Sequence, residues 1–189
     1  MHRLIPVNSV KDIPLRYRKT PVRLLLEYHN LGKPFAAHSR SDLLIGMCMD
    51  NRKQLRIPNN FAFIIRSGGA NLRYSEFKIS YAIGVGGVSC IALIGHNQCG
   101  MAGVSARKDV FVNGLVRRAG WSRKKAEEHF LNFCMMFEIG EETGFVLSET
   151  RRLRLRYPKI TVAPLFYKIE DNRLYFLKEN STARAPLLF

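Results

Sequence analysis

Cys90-Ile91-Ala92-Leu93-Ile94-Gly95 runs without a charge into His96-Asn97-Gln98-Cys99-Gly100. A short apolar run closed by polar residues reads as a buried strand followed by its loop. Toward the N-terminus, Leu43–Cys48 (LLIGMC) has the same shape and opens into Met49-Asp50-Asn51-Arg52. Phe61–Arg66 (FAFIIR) is a further buried strand, leading into Ser67-Gly68-Gly69-Ala70-Asn71, where adjacent glycines permit a tight backbone path. Ser75 can cap a helix over residues 76–85, which Gly86-Gly87 ends. Strands that are apolar throughout and separated by helices imply an α/β fold, with a mainly parallel sheet covered on both faces.

Residues 1–20 read as an arm with little structure of its own. The stretch PVRLLLEYHN, residues 21–30, predicts a short helix with Pro21 at its first position and Gly32 closing it. Beyond Gly103 the chain is largely helical. Ser122 can cap a helix through Glu138 whose Ala126, Phe130, Phe133 and Phe137 share one face, and a second helix from about 141 to 156 is stopped by Pro158. Ile160–Phe166 is a fourth strand, and Asp171-Asn172 turns it into a hairpin partner at Arg173–Lys178.

In parallel α/β sheets functional residues collect at the carboxyl ends of strands. Cys48 ends one strand, and His96 and Cys99 follow another. If these strands are neighbours, two thiols and an imidazole converge, a donor set that suits zinc and leaves its fourth position open. A closed structural site would need one more ligand. Cys90 lies at the far end of its strand from His96, about 17–20 Å away at strand rise, so Cys90 reads as a core thiol, as does Cys134 on its helix. Asp50 is the remaining candidate, but it has a competing role. On an extended segment Cys48, Asp50 and Arg52 face the same way, and an arginine beside an aspartate keeps the carboxylate ionised and oriented. Such a carboxylate can aim a water held next to a metal.

These motifs resemble those of the β-class carbonic anhydrases. The matching pieces are Cys48-Met49-Asp50-Asn51-Arg52, Phe63-Ile64-Ile65-Arg66-Ser67-Gly68-Gly69-Ala70-Asn71, Ser80-Tyr81-Ala82-Ile83 and Ile94-Gly95-His96-Asn97-Gln98-Cys99-Gly100. The late strand Val162–Tyr167 with its hairpin also fits. The resemblance implies catalytic Zn2+ on Cys48, His96 and Cys99, with Asp50 and Arg52 as the dyad beside it. It also implies substrate-pocket backbone at Gly68, Gly69 and Gly100. The activity it implies is reversible hydration of carbon dioxide to bicarbonate by hydroxide generated at the zinc, in a homodimer or homotetramer. Where the family usually has Arg-Asn-Ala-Gly, this chain has Arg66-Ser67-Gly68-Gly69, and the segment after Gly100 is its own. Both departures bear on substrate choice, so a carbonyl sulfide or carbon disulfide hydrolase is the alternative. His29, His38 and His129 are proton-shuttle candidates by chemistry only. The chain then divides into an N-terminal arm and helix packing on a partner subunit (1–40), a zinc-binding catalytic domain (41–180) and a C-terminal tail (181–189).

Bulk composition bounds these readings. A chain of 189 residues, 47% hydrophobic and 24% charged, can bury one sizeable core. No apolar run reaches the roughly 18 residues that span a bilayer, and the basic N-terminus lacks the apolar core of a secretory signal, so a cytoplasmic location is expected. The net charge of +15 raises a nucleic-acid partner with zinc in a structural role. The cations are spread along the chain, without the interleaved aromatics of a stacking platform, and read instead as a solvated basic surface.

Overall fold

The structure is a computed structural model that describes residues 2–179; the expected tail at 181–189 lies outside the described residues. Six strands, β1 (Leu4–Ile5), β2 (Leu43–Cys48), β3 (Ala62–Ser67), β4 (Cys90–His96), β5 (Thr161–Lys168) and β6 (Arg173–Leu177), form a mixed sheet in the order β1-β6-β5-β4-β2-β3. The four strands from β3 to β5 run parallel, and the hairpin strand β6 and the short β1 are antiparallel. Among the described residues five α-helices complete the fold: α1 (Pro21–His29), α2 (Glu76–Gly84), α3 (Lys108–Ala119), α4 (Arg123–Phe137) and α5 (Glu142–Arg156).

Successive strand residues point to opposite faces, and in β2 and β4 both faces are buried. Leu43, Ile45 and Met47 of β2 join Cys90, Ala92 and Ile94 of β4 on one face, under Val22, Leu25 and Leu26 of α1. On the other face Leu44, Ile91 and Leu93 meet Ile79 and Ala82 of α2 and Val146 and Leu153 of α5. That double burial is why both strands read as unbroken apolar runs. Ser122 caps α4 as expected, accepting from the Lys125 N–H at 3.3 Å. Ser75 stands at the start of α2 but makes no side-chain cap bond.

Two expectations need correction. Residues 1–20 are structured: β1 pairs with β6, two short 3-10 turns follow, and Val7, Ile13 and Tyr17 are buried in the core. Their apolar residues are spaced too irregularly, around Pro6 and Pro14, to show a period. Second, β3 is not a buried strand but the sheet's edge, with Phe63 37% and Ile64 47% exposed. Beside it α2 exposes Phe77 by 82% and Tyr81 by 56%. β3 and α2 therefore both present apolar side chains to solvent at this edge of the sheet.

Candidate metal centre

β2 and β4 are parallel neighbours in register through Met47 and Ile94, so their carboxyl ends lie side by side. Cys48 is the last residue of β2, and His96 is the last residue of β4 rather than the first of its loop. The loop then folds back: Gln98 takes a left-handed backbone (φ 56°), and Cys99 returns to face Cys48. Donor atoms of Cys48, His96 and Cys99 all lie within 4.8 Å of one another, and all three residues are buried. The cluster could hold a metal ion.

Two features of the donors fit zinc. The two sulfurs are 3.9 Å apart. A disulfide needs about 2.05 Å, whereas two thiolates on a tetrahedral zinc, each about 2.3 Å from the metal, stand about 3.8 Å apart. The imidazole is also prepared. His96 Nδ1 lies 2.8 Å from the Asn97 carbonyl, which can only accept, so Nδ1 carries the proton. Its Nε2 is left as a lone pair, buried and without a hydrogen-bond partner. A buried polar atom with no partner is costly, and a cation among these three donors would satisfy it.

The two sulfurs are within hydrogen-bond distance of each other. The hydrogen bond from Cys99 holds the Cys48 thiol well below the usual thiol range against the opposing effect of burial, with the N–H groups of Asp50 and Gly69 assisting. The same bond, followed by burial, pushes the Cys99 thiol far up. A divalent cation in the proton's place would relieve both. Gly69 is fitted to this contact: its N–H donates to Cys48 Sγ at 3.3 Å, and its φ of 65° and the approach of Ile139 leave no room for a side chain. Gly68 is packed against Met101. Gly100 is half-buried, and nothing lies within 4 Å of where its Cβ would stand, so packing does not require a glycine there.

Asp50 and Arg52 are brought together, but through a turn and not an extended segment. The Arg52 N–H donates to Asp50 Oδ1 at 2.9 Å, its Nε reaches both carboxylate oxygens at 3.1 Å, and its Nη2 reaches Oδ2 at 2.6 Å. The guanidinium holds the Asp50 carboxyl well below the usual range. It also crosses to the other ligand loop, donating to the Gln98 carbonyl at 2.9 Å and to Gln98 Oε1 at 3.3 Å. With its oxygens so engaged, Asp50 stands outside the three-residue cluster.

A cavity of about 330 Å3 adjoins the cluster, lined by Met49, Gly68, Met101, Phe130, Phe133 and Phe137 among others. Cys134 belongs to its wall and is half-buried, not the core thiol expected; Cys90 is a core thiol, 1% exposed. Of the three histidine candidates, His129 lines this cavity. His29 accepts from the Arg56 N–H, and His38 pairs with the Tyr28 hydroxyl. Sequence reasoning missed the supports of the two loops. Arg66 donates to the Cys48 carbonyl at 3.2 Å, Glu142 accepts from the Cys99 N–H at 3.3 Å, and Lys53 is buried under Asp50.

A parallel α/β sheet carrying a thiolate–imidazole cluster at its carboxyl edge is a class with few architectures, and the comparisons narrow it. No protein-family model and no curated protein sequence matches the chain. Among solved structures it is similar to β-carbonic anhydrase isoform I of Trichomonas vaginalis, with a TM-score of 0.61 at 16% identity over 79% of this chain and 91% of that one. A carbonic anhydrase from Glaciozyma antarctica gives a TM-score of 0.60 at 15% identity, covering 88% and 100%. The apo form of a carbon disulfide hydrolase gives 0.53 at 18% identity, covering 79% and 87%. The fold is that of the β-carbonic anhydrases.

Proposed function

We propose that this protein is a zinc enzyme that reversibly hydrates carbon dioxide to bicarbonate. The observation that carries the reading is the buried Cys48–His96–Cys99 cluster, with its unpartnered imidazole nitrogen, beside an aspartate locked to an arginine. Zn2+ bound by these three residues supplies the Lewis acidity that brings a water's ionisation toward neutral pH. Asp50, kept ionised by Arg52, accepts the hydrogen bond of the attacking water and orients its lone pair. Arg52 fixes the carboxylate and ties the turn to Gln98, so the two ligand loops keep one spacing. The apolar wall of Met101, Phe133 and Phe137, with Gly68 beside it, receives a substrate without charge or hydrogen, and Gly69 and Gly100 would add backbone beside Cys48 and Cys99. Bicarbonate, an anion, leaves this apolar wall for solvent.

A second reading shares the site. The cavity of about 330 Å3 has room for carbonyl sulfide or carbon disulfide as well as carbon dioxide, and its apolar lining suits all three. Stopped-flow measurement of carbon dioxide hydration, with zinc content determined on the same sample, tests the first reading. Sulfide release from carbonyl sulfide and carbon disulfide tests the second. A zinc-loaded protein inert toward all three would remove both.

The enzyme works in the cytoplasm as a homodimer or homotetramer, with residues 1–40 contributing to assembly and residues 41–180 to the chemistry. The exposed apolar edge formed by Phe63, Ile64, Phe77 and Tyr81 is the surface that best suits a second copy. Among the described residues no helix is long and apolar enough to cross a membrane, and the proposal includes no membrane partner. It includes no nucleic acid either. The surplus cations are spread along the chain rather than gathered in one stripe, and a titration showing salt-dependent nucleic-acid affinity would reopen that reading.

A further inference from the structure

Lys53 is 0% exposed, although Arg52 before it and Gln54 after it are both exposed. Burying an ammonium costs several kcal/mol unless charge and hydrogen bonds compensate it. Here the compensation is local to the metal centre. Lys53 Nζ donates to the Asp50 carbonyl at 3.1 Å and stands 3.8 Å from Asp50 Oδ1. Burial lowers its pKa, the charges of Cys48 and Asp50 oppose that shift, and Arg66 adds to it. The same turn is gripped from the other side by Arg66, which donates to the carbonyls of Cys48 at 3.2 Å, Asp50 at 3.4 Å and Lys53 at 3.2 Å. The Asp50 carbonyl thus receives two cationic donors. The Asp50 carboxylate lies between Arg52, which is 44% exposed at its side chain, and the fully buried Lys53. An exposed arginine alone samples many rotamers. A buried ammonium behind the turn does not.

We propose that Lys53 is a positioning residue for the Asp50–Arg52 pair: its buried ammonium anchors the Asp50 carbonyl and faces the Asp50 carboxylate, so that the turn presents that carboxylate in a single orientation beside the metal ligands. This rests on the proposed hydratase reading for its kinetic consequence, but not for its structural one. Lys53 touches no reacting atom. It acts through Asp50.

The test compares Lys53→Met, which keeps length and burial but removes charge and donors, with Lys53→Arg, which retains both. Each is studied as the full-length, zinc-loaded protein. Two measurements are made: hydrogen–deuterium exchange of the segment 48–54, and steady-state carbon dioxide hydration. In Lys53→Met the segment should exchange about tenfold faster or more, the loss of a charged hydrogen bond, while core peptides from β4 and β5 keep their protection. Zinc stoichiometry should be unchanged, kcat should fall about tenfold, and KM should stay within about twofold. Lys53→Arg should restore most of the protection and most of kcat. A residue that merely filled space would not show this kcat–KM split or recovery with the bulkier cation. Wild-type exchange in Lys53→Met would overturn the proposal, as would equal damage in Lys53→Arg or loss of zinc from folded Lys53→Met. Should Lys53→Met fail to fold, Lys53→Gln replaces it, with the same exchange readout deciding. If the wild-type protein proves inert toward carbon dioxide, the hydratase reading fails while the exchange comparison still decides the role of Lys53.

Discussion

Arg52→Lys separates the two jobs of this side chain. The guanidinium reaches both Asp50 oxygens from Nε, a second time to Oδ2 from Nη2, and bonds the Gln98 carbonyl and side chain across the gap. A lysine keeps the charge but offers one compact ammonium, which can hold a single carboxylate contact and cannot also span to Gln98. The stability consequence is small. The Arg52 side chain is 44% exposed, and screened pairs of this kind contribute about 0.2–1 kcal/mol. For a chain of this length that is a fall in Tm of about 1–4 °C. The kinetic consequence is large, because a carboxylate misplaced by about 1 Å costs on the order of 100-fold in rate. Stopped-flow hydration and differential scanning calorimetry on the same zinc-assayed sample should therefore show kcat down about 100-fold beside a barely altered melting curve. A variant with a rate within threefold of the parent would refute the orienting role, and one that lost zinc would show that Arg52 builds the metal site instead.

Cys48→Ser and His96→Ala should each lose bound zinc and activity together, read by metal analysis of the purified proteins. In the parent protein, chelating the metal should lower Tm by about 5–10 °C, since a ligand at about 100 times its Kd contributes about 2.7 kcal/mol; calorimetry in zinc buffers checks this, and Cys48→Ser should show no zinc-dependent shift. Burial pushes the Cys90 thiol up to about 11. Its contribution is thus complete below the unfolded value and lost as pH rises through the folded one, so urea stability should fall by about 3 kcal/mol across that window and Cys90→Ala should flatten the fall. Gly69→Ala must place a side chain at φ 65° and 2.6 Å from Ile139 Cγ2. It should cost about 2 kcal/mol or more in urea denaturation; an unchanged midpoint would mean that the strand-to-turn path relaxes freely.

The sequence made the parallel core legible because β2 and β4 are buried on both faces, and their apolar runs have no other use. From there the meeting of Cys48 with His96 and Cys99 followed, given that the strands proved to be neighbours. What stayed hidden depended on tertiary packing. β1 has two residues, too few for any period, and Val7, Ile13 and Tyr17 are buried by the α1, β5 and β6 side chains they join in the core. Phe63 and Ile64 look like core residues by composition, yet an edge position leaves them open. Asp50 and Arg52 were placed together for the wrong geometric reason, since a turn rather than an extended strand aligns them. Lys53 gave no signal: a lysine among polar neighbours reads as surface, and only its contact with the Asp50 carbonyl marks it.

The sheet order has a consequence for how the molecule is made. His96 comes 48 positions after Cys48, and the intervening chain must lay down β3 and cross back through α2 before β4 can align beside β2. The three donors therefore cannot meet until that crossover has closed, and a chain ordered only as far as β3 holds Cys48 alone at its strand end.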